Sequence, residues 1–414
     1  MTKPKLTSFD APIRRGEGRR HGLLPKDDVK AAQQRTRLIV GAAVGIALAT
    51  SCKEPETPKP VVPPPPDTSV TPPPPPPDTH ANVPVTPKGP APGTRTVLAN
   101  RNSDETWDRM LVAGGKLWVL TNLTRWTSGP MYVPAARLWS VPITGGELTK
   151  HLDLEGMGNL AADDSSLYVA INRDLAKSTP KSGRIFKLPL AGGAPTDVAT
   201  GIEPRAFAVD GDTLWIDDSR MPKEGGKAAT PSGVKGAMTF AFDADNAYFT
   251  TAKGAGPAGD TTGARVWRIA KKGGAPVMLA GKLPEEATGL AVDATHVYFC
   301  AVSWSSPEKE RAGIVARVAK AGGEPEILAR DQPSLRRLWI DEGNVYFLSG
   351  RGGRQASVLR VAKTGGEVVK VAADDTLEQA SLDATSVYFS SDGTFDAGTK
   401  ARLTPANLVR VVLR

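Results

Sequence analysis

Residues Arg317–Ala329 read RVAKAGGEPEILA. Their Lys-x-Gly-Gly centre fits two devices, a glycine loop that cradles a phosphate or a tight turn between two strands. A phosphate loop opens into a helix whose free amides bind the anion. Here the glycines follow one alternating apolar run and precede another, Glu326-Ile-Leu-Ala329. The arrangement recurs as RLWSVPITGG (Arg137–Gly146), RIFKLPLAGG (Arg184–Gly193), RVWRIAKKGG (Arg265–Gly274) and SVLRVAKTGG (Ser357–Gly366). Glycine supplies the positive φ that a tight strand-to-strand turn requires. No helical pattern follows any copy, so the nucleotide reading fails and the stretch is an outer hairpin.

A second half-unit alternates with the first. It reads apolar residues, Asp, a short polar turn and an apolar-aromatic pair, as in LAVDATHVYF (Leu290–Phe299) and LWIDEGNVYF (Leu338–Phe347). It occurs seven times between Met110 and Phe389, with Ala113 in place of Asp in the first copy. Two short β-forming runs around a polar turn are a hairpin signature. The turn Asp is accounted for locally, because its carboxylate accepts hydrogen bonds from turn amides. From the second glycine of one unit to the turn position of the next there are 17 to 19 residues, whereas from the turn position to the next Gly pair there are 15 to 32. The constant spacing marks scaffold, and the variable one marks a single loop per unit.

Four strands per unit and a mean period of about 46 residues over 96–414 predict an all-β fold, a β-propeller of seven blades. Thr96-Val-Leu-Ala99 copies a fourth strand, and Asn407–Leu413 copies a third strand and stops where its Gly pair would come. One blade is therefore expected to be closed by both termini, leaving no open edge. Blade three has only 15 residues from its turn Asp210 to its Gly pair, so an incomplete blade is expected there, and counts of six or eight remain open.

Ahead of the repeat, residues 1–51 carry ten Lys/Arg and four Asp/Glu, leaving 42 against 40 for the rest of the chain. The body is nearly neutral, which argues against a nucleic-acid partner. The basic start leads into the uncharged apolar run Leu38–Thr50, a secretory signal pattern that falls short of the ~20 residues of a spanning helix. Leu48-Ala-Thr-Ser-Cys52 is similar to a bacterial lipobox, which makes Cys52 the expected lipidation site. An uncleaved inner-membrane signal anchor is the alternative. Of residues 53–95, 17 are proline, a polyproline II stalk that cannot bury a core. The expected organisation is a signal at 1–51, a disordered Pro-rich linker at 52–95 and the propeller at 96–414. The other cysteine, Cys300, follows Val297-Tyr-Phe299 and reads as a buried small hydrophobe.

The half-unit TGLAVDATHVYF (Thr288–Phe299) with its following RVAK and Gly-Gly resembles the NHL, YVTN and TolB-type propellers. The whole chain resembles propeller lipoproteins of bacterial envelopes, and the resemblance implies a tethered envelope protein without naming its ligand. The four histidines form no ligand spacing and no nucleophile elbow is present, so neither cofactor nor metal is expected. In this register the variable loops share a face with the segments leading into the innermost strands, the face on which ligands are expected. The candidate binding residues there are Trp107, Arg109, Arg205, Arg336 and Arg337 near the channel mouth, with Trp126, Tyr132 and Trp304 in the loops. The expected function is non-enzymatic binding of an envelope protein, peptide or glycan. The rival is a lyase or hydrolase of envelope or extracellular polymers, its anionic substrate held by Arg109, Arg205 and Arg336.

Overall fold

The computed structural model describes residues 92–101, 105–125, 133–156, 158–172, 183–227, 234–256, 262–303, 312–350, 356–394 and 403–413. Cys52, the signal, nearly all of the Pro-rich segment, Trp126, Tyr132 and Trp304 lie outside them. The described residues form an all-β, seven-bladed propeller.

After β1 (Arg95–Arg101), blade one comprises β2 (Thr106–Ala113), β3 (Lys116–Arg125), β4 (Val133–Pro142) and β5 (Thr149–Glu155). Blade two comprises β6 (Gly158–Ala162), β7 (Ser166–Ile171), β8 (Gly183–Pro189) and β9 (Thr196–Ile202). Blade three has β10 (Phe207–Asp210), β11 (Thr213–Ile216) and β12 (Ser219–Pro222). Blade four is β13 (Ala237–Phe242), β14 (Asn246–Thr251), β15 (Ala264–Ala270) and β16 (Val277–Leu283). Blade five is β17 (Glu286–Val292), β18 (His296–Val302), β19 (Ala312–Ala319) and β20 (Glu326–Pro333). Blade six is β21 (Arg337–Ile340), β22 (Asn344–Ser349), β23 (Ser357–Ala362) and β24 (Val369–Ala373). Blade seven joins β25 (Leu377–Leu382), β26 (Ser386–Ser391) and β27 (Ala406–Val412) to β1.

The termini thus meet in one sheet, with Thr96 opposite Arg410 and Asn100 opposite Asn407. The count settles at seven, and blade three is the incomplete one, with three strands among the described residues. Both glycines of the opening stretch have positive φ, +90° at Gly322 and +135° at Gly323, as a turn between β19 and β20 requires.

Why the apolar-aromatic pair recurs follows from the alternation of side chains along a strand whose two faces are both buried. In β18, Phe299 packs against blade four and Tyr298 against blade six. Seven hydrophobic clusters result, each shared by two neighbouring blades, and together they run round the ring. Cys300 is buried and free, and burial pushes its thiol pKa up.

The turn Asp does more than order its own turn. Asp293 Oδ1 accepts the amides of Thr295 and His296 at 2.9 Å. Its Oδ2 accepts the Tyr298 hydroxyl and, from the next blade, Lys363 Nζ, both at 2.8 Å. Asp243 repeats this with Tyr248 at 2.7 Å and Lys320 at 2.8 Å, and Asp163 with Tyr168 and Lys223, both at 3.0 Å. Asp210 takes Lys271 at 2.6 Å. The lysine always stands two residues before the Gly pair, so the opening Lys-x-Gly-Gly is a staple to the preceding blade as well as a turn. Where the carboxylate is Ala113, the matching position of blade two is Leu190, packed in the same cluster.

Blade seven is tied to blade one differently. Glu105, almost fully buried, lies between Arg101 of β1 and Arg137 of β4 and accepts the Thr121 hydroxyl at 2.5 Å. The Arg101 guanidinium lies 4.3 Å over the Trp139 ring. A buried carboxylate compensated from β1 and from β4 thereby fastens the closing strand to blade one.

Candidate functional site

In each blade the innermost strand runs from the loop-bearing face into the disc, so its first residues stand at one mouth of the central channel. In blades one, six and seven these are Asp108 and Arg109, Arg336 and Arg337, and Glu378 and Gln379. Blade seven lies between the other two, which brings both arginine-bearing strands to one side of the mouth.

Arg109 donates to the Asp108 carboxylate at 2.9 Å and to its carbonyl at 3.0 Å. Arg336 crosses to blade seven and donates to the Glu378 carbonyl at 2.6 Å. Its guanidinium is 3.7 Å from the Glu378 carboxylate. Arg337 is half-buried and makes no ion pair with a carboxylate among the described residues. Burial lowers its pKa to about 10, with Arg109 and Arg336 adding repulsion and Asp108 opposing them. It stays charged at neutral pH, and in this cluster of described residues Asp108 is engaged by Arg109 and Glu378 by Arg336. Guanidinium groups bind carboxylate and phosphate through paired hydrogen bonds, and a low-dielectric mouth strengthens the attraction. Among the described residues of this cluster, Arg337 is the guanidinium without an ion pair to a carboxylate.

Two of the expected residues do not join this cluster. Trp107 is 3% exposed and packs in the joint between blades seven and one; strand alternation alone would put it on the side of Arg109, but the register shift between the two in β2 breaks that alternation, and it is a core residue. Arg205 lies in blade three, where it lines a groove well away from blades one and six. Its amide and that of Ala206 donate to Asp217 at 3.0 and 2.8 Å. Arg337 joins Arg336 at the mouth, and only the packing shows that it has no carboxylate partner among the described residues.

Ser140 Oγ lies 2.8 Å from His151 Nε2. The ring packs 4.8 Å from Trp118, and burial followed by Lys116 lowers its pKa. No carboxylate orients the ring among the described residues, so the pair reads as packing on the outer half of blade one. Among the described residues no group of three or more His, Cys, Asp or Glu side chains could hold a metal ion.

No family model matches the chain, and no curated protein matches it. Among solved structures it is similar to the β-propeller domain of the Trilobed protease from Pyrococcus furiosus, with 10% identity and a TM-score of 0.49 over 75% of this chain and 98% of that one. It is also similar to the computationally designed Ika8 protein, with 14% identity and a TM-score of 0.45 over 75% and 89% of the two chains. TolB from Acinetobacter baumannii has 14% identity and a TM-score of 0.40 over 62% and 65%. At these identities the likeness concerns the propeller fold alone.

Proposed function

We propose that this chain is a membrane-tethered, non-enzymatic binding protein of the cell envelope, which takes an anionic group of an envelope protein, peptide or glycan at the channel mouth of its loop-bearing face. The observation that carries the reading is the gathering of Arg109, Arg336 and Arg337 from two blades beside one strand of a third. The tether rests on the sequence alone, on the apolar run Leu38–Thr50, Cys52 and the proline-rich stalk. It is similar in plan to envelope lipoproteins that carry a propeller.

The test is a pull-down from envelope extracts with the full chain and with an Arg109→Ala/Arg337→Ala variant. A partner held by the native chain, released by raised salt and lost from the variant is expected. Equal retention by both removes the arginine mouth from the reading. For the tether, fatty-acid labelling should vanish in Cys52→Ala, and labelling that persists would exclude that anchor.

A further inference from the structure

Arg109 and Arg337 occupy one repeat position. It is the residue just before the apolar one that pairs across the inner hairpin, Met110 with Val119, Leu338 with Phe347 and Ala380 with Phe389. Taken round the ring from blade six, this position holds Arg337, Gln379, Arg109 and Asn159 in four consecutive blades, and then Ala206, Thr239 and Gly289. One arc of the channel wall therefore carries long hydrogen-bonding side chains and the facing arc short ones.

The direction of these side chains follows from the packing. At Gly289 an added Cβ would stand 2.8 Å from Leu338 Cβ, so the position faces the innermost strand of the next blade. A long side chain finds no room in that joint and runs out to the channel, and Arg337, Gln379, Arg109 and Asn159 are all partly exposed. In blades one and seven the ladder shifts register at this step, between Trp107 and Arg109 and between Leu377 and Gln379. Asp108 and Glu378 are the extra residues of these bulges, a device that re-aims side chains at the end of a strand.

Charge and hydrogen bonding along the arc select the ligand. Asp108 is engaged by Arg109 and Glu378 by Arg336, while Arg337 has no carboxylate partner among the described residues. Its uncompensated guanidinium suits one negative charge, and the two carboxylates beside it disfavour a dianion such as a phosphate monoester. Asn159 Oδ1 accepts the Leu160 amide at 3.0 Å, which leaves its NH2 group to donate. The backbone amide of Gln379 donates to Ser390 Oγ at 3.0 Å, and its side-chain amide makes no hydrogen bond among the described residues. Such amides both donate and accept, which matches hydroxyl groups. No apolar side chain larger than alanine occurs at this position, so nothing in it anchors a peptide side chain.

We infer that the arc binds a hexuronate residue of an acidic glycan, its carboxylate on Arg337, with the Gln379 and Asn159 amides taking hydroxyls of that residue and of its neighbour in the glycan. The inference rests on the reading of the arginine mouth as an anion site and narrows it to one ligand class.

The test is equilibrium dialysis of the full chain against labelled diglucuronate, with its dimethyl ester, acetate, inorganic phosphate and triglycine as competitors. Saturable binding at millimolar concentration or below is expected, at least tenfold weaker in Arg337→Gln and severalfold weaker in Gln379→Ala. Both variants replace partly exposed side chains, and an unchanged thermal midpoint shows that each is folded. Each competitor should displace the label at least tenfold less well than unlabelled diglucuronate, a comparison that needs no variant. The inference is overturned if diglucuronate shows no saturable binding or if the dimethyl ester competes equally. Equal competition by acetate, phosphate or triglycine overturns the sugar assignment while leaving the anion mouth standing. Unchanged binding in Arg337→Gln overturns both.

Discussion

The joint between blades four and five and the joint between blades one and two close the same gap by opposite chemistry. In the first, Lys320 reaches Asp243 while passing over the Tyr248 ring. In the second, Ala113 faces Leu190. The backbone frame is shared, so both positions must change together: a lysine opposite Ala113 would lack its carboxylate, and an aspartate opposite Leu190 its ammonium. Polar and apolar solutions are both tolerated, while half of one is costly. The closing joint shows a third solution, where Ile143 stands in the lysine position and Glu105 between two arginines fastens the sheet instead.

These contrasts set an order of expected effects. Glu105→Ala takes the buried carboxylate from Arg101, leaves Arg137 only its exposed partner Asp153 and should cost about 3 kcal/mol, read as a fall in the denaturant midpoint. Leu190→Lys places a charge against Ala113 and should cost roughly 2–3 kcal/mol. Adding Ala113→Asp should recover part of that loss, and a double-mutant cycle with no coupling would break the equivalence of the joints. Asp243→Ala should cost about 1–2 kcal/mol by stranding the Tyr248 hydroxyl and Lys320. Lys363→Met, at a partly exposed end of the same kind of contact, should cost under about 1 kcal/mol.

The same joints predict the pH dependence of stability. Burial alone would raise the Asp243 and Asp293 carboxyls, but the opposing lysines, the tyrosine hydroxyls and the turn amides outweigh it and hold both below the usual carboxylate range. A carboxyl depressed in the folded state stabilises above its unfolded pKa of about 4, and that contribution is lost as pH falls below it. Burial, then Asp293 and Asp383, push Tyr298 and Tyr388 up to about 12. A raised tyrosine stabilises below its unfolded pKa of about 10, and the contribution fades as pH rises towards 12. Thermal unfolding should therefore weaken at both extremes, and an Asp163→Asn/Asp243→Asn/Asp293→Asn variant should show a flatter acid limb.

Much of this was legible in the repeat. Glycine pairs, the Asp turn and the Tyr-Phe pair are local devices, so their spacing placed the hairpins, the closing blade and the short third blade. The lysine staple was legible too, since Lys223, Lys271, Lys320 and Lys363 share one register, but the turn amides alone accounted for the aspartate. Trp107 stands two residues before Arg109 and so reads as sharing its face; the register shift between them, which no local signal marks, breaks that relation. Arg205 and Arg336 occupy matching repeat positions, and no local rule separates them.

What the sequence by itself determined is the blade, because a strand, its turn and the alternation of buried faces are written in consecutive residues. What only the tertiary structure decided is which blades stand next to one another at each site. That neighbour relation gathers Arg109, Arg336 and Arg337 from blades one and six, sends Arg205 to the groove of blade three, and matches Leu190 to Ala113. Each such contact joins residues dozens to hundreds of positions apart, and the energy that selects it exists only once the ring has closed.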